Sequence, residues 1–292
     1  MEKRKEQKAK LKIAVPNKGR LYEPTISLLR NIGLDFEIDE RKLSSSVSNY
    51  SLDILYVSAS NIPEYVQDGI IDIGITGLDL VSEKTADVKV IEPLQYGKAN
   101  LALAVPEDSP IRSPKDLAGK KVATSFVTLT QAYFKRLKIK VDVVEVDGAV
   151  EITPLLGLVD AISDLTSSGS SLRMNKLRII DTILESQAIL ISNKSVSPEK
   201  KELIDTLVMR TQSVLNAGRK KYIMLNAPES LLPKIKEVTP GLSSPTVMHL
   251  SSTGMIAVHS VIEAKDVWEV VEKLKRIGAS GILIIPLEKM VV

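Results

Sequence analysis

The stretch DLTSSGSSL, residues 164–172, places five hydroxyl side chains around one glycine, directly after the apolar run GLVDAIS. Hydroxyl groups donate hydrogen bonds to anionic oxygens. A glycine lets the backbone approach a ligand with no Cβ in the way. The following LRMNKL can begin a helix, whose free N–H groups and dipole also attract an anion. Thr166, Ser167, Ser168, Gly169, Ser170 and Ser171 therefore read as a cradle for a phosphate; a turn without a ligand is the plainer reading of the same residues. Acids stand beside it. Asp164 falls at the end of a predicted strand, and Glu151 opens the short helix before it. Asp160 lies four residues from Asp164 on that strand, which puts both on one face. Carboxylates next to a phosphate cradle suit a phosphorylated sugar. They accept hydrogen bonds from ribose hydroxyls and favour positive charge developing at the anomeric carbon. Asp160 reads equally well as a structural cap.

The rest of the composition narrows the chemistry. With no cysteine, disulfide scaffolds, thiol nucleophiles and Cys-ligated zinc are excluded. The two histidines, His249 and His259, lie late in the chain in alternating runs, away from any G-x-S-x-G elbow, and read as strand-surface residues. A reaction here must do without a histidine base. The net charge of +3 is too mild to argue for nucleic acid, and no apolar run reaches the ~18–20 residues of a membrane span. MEKRKEQKAK lacks the apolar region and cleavage site of a secretory signal, so residues 1–10 read as a solvated tail and the protein as cytoplasmic.

These residues need elements to hold them. The 292-residue chain is long enough for two or three domains, and with only 4% aromatics its cores must be built from Ile, Leu, Val and Ala. LKIAVP, LDILYVSAS and IDIGITG read as strands separated by helices, PTISLLRNIG and NIPEYVQDGI, which argues for a mostly parallel sheet with ligand loops at the strand ends. After ANLALAVP the pattern restarts, and LRIIDTILESQAILISN returns through two β-like runs. One lobe is thus expected over 11–103 with 186–217, and a second over 104–185. A long helix, 197–218, has Ser197 as N-cap, Pro198 at its first position and Gly218 at its end. From 218 to 292 the order βαββαβ predicts a ferredoxin-like module.

The segment EITPLLGLVDAISDLTSSGSSL resembles the signature of ATP phosphoribosyltransferases, the first enzymes of histidine biosynthesis. Glu151, Gly157, Asp164, Ser168, Gly169 and Leu172 match it. Val159 stands where a small residue is usual, and Ser171 where threonine is usual; the latter keeps the hydroxyl. AVPNKGRL, IPEYVQDGIIDIGITGLDL, KVATSF and VDGAVEI resemble further blocks of the family, and GLSSPTV and IGASGILIIPLEKM resemble the C-terminal domain of its long form. The resemblance covers about residues 11–290.

It implies an α/β fold with two periplasmic-binding-protein-like (type II) catalytic lobes and an ACT-like regulatory domain. It implies transfer of the 5-phosphoribosyl group of phosphoribosyl pyrophosphate (PRPP) to N1 of ATP, with Mg²⁺ as the cofactor and its protein ligands unknown. Glu151 and Asp164 would hold the ribose hydroxyls, joined by Asp160, and the loop 166–171 the 5′-phosphate. Lys18, Gly19 and Arg20 would face the nucleotide and pyrophosphate, though a solvated turn explains them too. Gly77, Asp79, Thr124 and Ser125 would line the same cleft. L-Histidine is the expected inhibitor, at Asn226, Leu242, Thr246, Val261 and Gly281, and AMP a further candidate. For Leu242 and Val261 a core role reads as well as a ligand role. Asn226 departs from relatives with an acid there. A homo-oligomer, dimer to hexamer, is implied, with no separate regulatory subunit, nucleic acid or membrane partner. A bilobal small-anion sensor, another phosphoribosyltransferase and an inactive regulatory paralogue are the rival readings.

Overall fold

The computed structural model describes residues 10–39, 42–239, 241–242 and 244–291. The tail expected over 1–10 lies outside them apart from Lys10, which is exposed and pairs with Asp53 at 2.6 Å. The chain runs through β1 (Leu11–Pro16), α1 (Tyr22–Asn31), β2 (Ser44–Ser46), β3 (Leu52–Val57), α2 (Ile62–Gln67), β4 (Ile73–Gly77), α3 (Leu78–Glu83) and β5 (Lys89–Pro93). It then crosses to a second lobe with β6 (Ala99–Pro106), β7 (Lys121–Thr124), α4 (Val127–Leu137), β8 (Asp142–Glu145), β9 (Ala161–Thr166), α5 (Ser170–Met174) and β10 (Leu177–Ser186). It returns through β11 (Ala188–Ser192) and leaves by α6 (Pro198–Gly218).

The two sheets repeat one plan. In the first the order is β2-β3-β1-β4-β11-β5, in the second β10-β6-β9-β7-β8. Each contains three adjacent parallel strands, β3-β1-β4 and β8-β7-β9. Beside them runs one antiparallel strand that has arrived from the other lobe, β11 in the first and β6 in the second. That exchange is the topology of the type II periplasmic-binding-protein fold, as the sequence resemblance implies. The crossing, however, is not at 103/104. β6 is bonded along Ala99–Pro106 to β10 and over Asn100–Ala104 to β9, so the first lobe ends before residue 99. ANLALAVP is a single strand with both faces buried, and nothing in its apolar run marks which sheet it joins.

The burial of β6 also seats the functional loop. Leu103 and Val105 face one core with Val122, Tyr133 and Phe134. Ala102 and Ala104 face the other, with Ala123, Val150, Ile162 and Leu172. Small alanines on that face let the turn carrying Val150 and the helix carrying Leu172 lie close to the sheet. The first lobe packs Ala14, Ile62, Val66, Ile71, Ile189 and Ile191 in its own core.

The described chain divides into two compact units, up to Leu203 and from Ile204 on, with Asn31–Gly33 counted in the second. The division falls inside α6, earlier than the expected 218. The second unit's sheet begins close to that expectation, with β12 (Lys220–Pro228), α7 (Leu232–Val238), β13 (Thr246–His249), β14 (Met255–Glu263), α8 (Val267–Arg276) and β15 (Ser280–Pro286). Its antiparallel order β13-β14-β12-β15 is the ferredoxin-like arrangement. Ile223, Leu225, Ile256, Val258 and Leu274 form its core.

Candidate active site

In each lobe, strand order reverses at the first parallel strand, so loops leaving the carboxyl ends of the central strands splay apart and open a crevice. Four stretches singled out from the sequence leave those ends. Lys18–Arg20 follow β1, Gly77 closes β4 and Asp79 opens α3, Ser125 follows β7, and Ser167–Ser171 follow β9.

The second-lobe half holds the cradle. Thr166 ends β9 buried, and its Oγ1 accepts the N–H of Gly169 at 2.8 Å, curling the loop back on itself. Gly169 takes φ +70°, a left-handed conformation that strains a residue with a Cβ. A Cβ there would lie 3.3 Å from Arg173 Nη1. Ser168 Oγ donates to Ser170 Oγ at 3.0 Å, while Ser167, Ser168 and Ser170 stay exposed. Asp164 is half-buried beneath this loop. Burial raises its carboxyl above the ordinary aspartate value and the Glu151 charge pushes the same way, opposed by the Leu165 N–H at 2.8 Å. Glu151 sits in a 3-10 turn, Val150–Ile152, entered through Ala149 at φ +46°. A non-glycine residue held there is strained, a feature common beside functional sites.

The first-lobe half centres on the buried Asp79. Asp79 is 1% exposed; its N–H donates to Ser186 Oγ at 3.0 Å, and the Ser186 hydroxyl donates back to its carboxylate. Arg20 Nη2 approaches the same carboxylate at 3.4 Å, and Arg20 Nη1 donates to the Gly97 carbonyl at 2.6 Å. Gly77 lacks a Cβ that would collide with Asp79. Lys18 and Gly19 are exposed, the latter at φ +82°. The halves meet at the crossover strands. Thr166 pairs with Asn100 on β6, and the adjacent Ala99 pairs on the other side with Ser186.

Two expected residues stand elsewhere. Asp160 precedes β9, at the end opposite the loop. There it accepts the Lys121 N–H at 3.0 Å and Lys120 Nζ at 3.3 Å, which hold its carboxyl below the ordinary value. The expectation that it shares a strand face with Asp164 fails because the strand starts only at Ala161. Thr124 is fully buried; its hydroxyl donates to the Ser163 carbonyl at 2.8 Å and accepts the Phe126 N–H at 2.9 Å, leaving Ser125 as the exposed member of the pair. Ser186 was missed. It sits 107 residues from Asp79 in ILESQ, and no local pattern marks it.

In the second unit, Asn226, Thr246, Val261 and Gly281 lie on strand positions that alternate with the core residues Leu225, Val247, Ile262 and Ile282, so they share the sheet face away from that core. Gly281 adjoins Asn226, since a Cβ there would lie 3.2 Å from its Nδ2. Val261 pairs instead with Tyr222, four residues along β12 from Asn226, or about 13 Å. Thr246 pairs with His259, whose Nδ1 is 2.8 Å from the Tyr222 hydroxyl. Leu242 lies outside the strands, exposed.

Fold and site together define a bilobal α/β protein with a glycine- and serine-rich loop at a topological switch point and two acidic residues, Asp164 and Glu151, in the segments leading to it. Comparison with known proteins makes the class specific. The sequence matches the family profile HisG: ATP phosphoribosyltransferase over residues 58–213, and the profile HisG, C-terminal domain over 217–289. It is 47% identical over 287 residues to the ATP phosphoribosyltransferase of Methanosarcina acetivorans, covering 96% of this chain and 99% of the relative. It is 42% identical over 285 residues to that of Methanothermobacter thermautotrophicus, covering 97% and 99%. The structure aligns with the ATP phosphoribosyl transferase (HisG:HisZ) complex from Thermotoga maritima at a TM-score of 0.62 and 28% identity, over 70% of this chain and 98% of that one. The chain belongs to the ATP phosphoribosyltransferase family and is an enzyme of histidine biosynthesis.

Proposed function

We propose that the protein transfers the 5-phosphoribosyl group of PRPP to N1 of the adenine of ATP, releasing pyrophosphate, as the first step of the histidine pathway. The observation that carries this reading is the Thr166–Gly169 cradle beside the Asp164–Glu151 pair. The loop amides and the hydroxyls of Ser167, Ser168, Ser170 and Ser171 would hold the 5′-phosphate. The carboxylates would accept the ribose 2′- and 3′-hydroxyls and stabilise positive charge as the C1′–O bond to pyrophosphate breaks. Adenine N1 attacks with its free lone pair and needs no base, which suits a site without histidine. Orientation of the two substrates then supplies much of the rate. Lys18, the Gly19 amide, Arg20 and Ser125 would face the nucleotide and the departing pyrophosphate.

Among the described residues no group of three or more His, Asp or Glu side chains is arranged to hold a metal ion. The Glu151–Asp164 pair nevertheless fits a Mg²⁺ held largely by substrate, since Mg²⁺ commonly takes one or two carboxylates plus phosphate oxygens and water. Bound there, it would neutralise charge on the pyrophosphate leaving group.

The second unit would bind L-histidine as feedback inhibitor, with Asn226 and Gly281 as its closest-set pair. The C-terminal domain match supports this, and carrying the domain in the same chain would dispense with a separate regulatory subunit. AMP as a second inhibitor, assembly into dimers and hexamers, and a cytoplasmic location, where both substrates are made, belong to the same reading. Among the described residues no helix is long and apolar enough to cross a membrane.

The test is turnover of ATP and PRPP with Mg²⁺, followed by near-UV absorbance of N1-substituted adenine, with and without L-histidine. Turnover suppressed by histidine is the expected result. Turnover indifferent to histidine would leave the second unit without its proposed role. Absence of turnover in folded protein would favour an inactive regulatory paralogue or a sensor.

A further inference from the structure

α3 belongs to the first lobe, yet it is tied at both ends to segments that lead into or form the second. At its start, Asp79 grips Ser186, the last residue of β10, while Arg20, beside the same carboxylate, holds the Gly97 carbonyl between β5 and β6. Both crossover segments are thereby fixed to one buried cluster. At its end, Glu83 reaches α4 of the second lobe. The Thr128 N–H donates to Glu83 Oε1 at 2.8 Å and the Leu129 N–H to Oε2 at 2.9 Å.

The second contact is unusual in where the carboxylate comes from. The first N–H groups of a helix have no partner inside it and need a cap. α4 has Phe126 at its N-cap position, which offers no side-chain oxygen and makes no capping bond. The bonds that a local Ser or Asp would ordinarily supply come instead from 45 and 46 residues away, across the lobes. A carboxylate there also meets the positive end of the helix dipole. α4 begins two residues after Ser125, so capping it from the first lobe fixes the second-lobe loop after β7 relative to α3 and the Asp79 cluster.

We infer that Glu83 is a positioning residue: it caps α4 from the opposite lobe and sets the interlobe geometry at which the loops after β7 and β9 meet Lys18–Arg20. The consequence for turnover rests on the proposed phosphoribosyl transfer; the geometric consequence does not. Without the cap the lobes sample settings in which substrate is not held from both sides. Apparent affinity then falls by the fraction of competent molecules, while chemistry at saturation is preserved.

The chain contains no cysteine, so Glu23→Cys with Lys135→Cys gives one spin-label pair spanning exposed sites of the two lobes. In the full-length labelled protein, Glu83→Ala is expected to broaden the interlobe distance distribution and saturating ATP and PRPP to narrow it. Unlabelled Glu83→Ala should show both KM values raised about tenfold with kcat within roughly twofold. Glu83→Gln, whose carbonyl can still accept one N–H, should lie between and guards against a variant that fails to fold. An unchanged distance distribution in Glu83→Ala overturns the inference, and so does a lower melting temperature with KM and distance both unmoved. A broadened distribution in protein that turns over no substrate, wild type included, supports the latch and counts against the proposed reaction instead.

Discussion

At Asp164 the fold carries a cost in return for chemistry. Its folded pKa lies above that of the unfolded chain, because burial and Glu151 both disfavour the charge. The folded state therefore binds more protons, and stability falls as pH rises from the ordinary aspartate value through the raised one. Asp164→Asn removes the buried charge, so we expect a higher melting temperature at neutral pH together with a fall in kcat/KM of about 10²-fold or more. Lower stability with retained turnover would sink the role assigned to it. Asp160 has the opposite sign. Its carboxyl is held below the ordinary value, so it stabilises the fold above the unfolded pKa and that contribution is lost as pH falls through the folded one. The Lys120 partner is partly exposed, which screens the pair. Asp160→Ala should cost no more than about 1 kcal/mol in denaturant unfolding and leave PRPP turnover within a few-fold, the reverse of the expectation from sequence spacing.

The elements show why that spacing misled. An aspartate four residues before another shares its face only if both lie in the strand; Asp160 instead stands just before β9, where its carboxylate accepts the Lys121 N–H. Interior strands were legible, because runs such as LKIAVP and AILIS are apolar on both faces. β2, three serines at a sheet edge, and β5, mostly exposed, lack that signature and were not anticipated. The cradle was legible as a glycine among hydroxyls, and the structure adds the conformation that requires glycine. Replacing Gly169 by alanine puts a Cβ at φ +70° against Arg173 and Ile179. We expect a stability loss of about 1–2 kcal/mol and a larger rise in KM for PRPP than for ATP. Equal changes in the two KM values would argue that the loop does not hold the phosphate. Contacts such as Asp79–Ser186 and Glu83–Leu129 could not be read, because residues in polar isolation carry no periodicity.

On the scale of the whole molecule, each unit has a core of its own. Leu103, Phe134 and Ile162 pack within the first unit, and Ile223, Val258 and Leu274 within the second, each cluster filled from its own elements. Units with their own cores can unfold as separate cooperative steps. Calorimetry of the full chain should therefore resolve two transitions. A ligand that binds only one folded unit stabilises that unit by RT ln(1 + [L]/Kd), about 2.7 kcal/mol at a hundredfold excess over Kd. For a unit the size of the second that corresponds to a shift of the order of 10 °C. L-Histidine should move one transition and PRPP with Mg²⁺ the other. Because linkage is reciprocal, an inhibitor that weakens PRPP binding must itself bind less tightly when PRPP is present. With both ligands together, the transition that melts first should thus shift less than with its own ligand alone. Fully additive shifts would show that histidine binds the second unit without speaking to the first, and that any inhibition acts on the chemical step and not on substrate affinity.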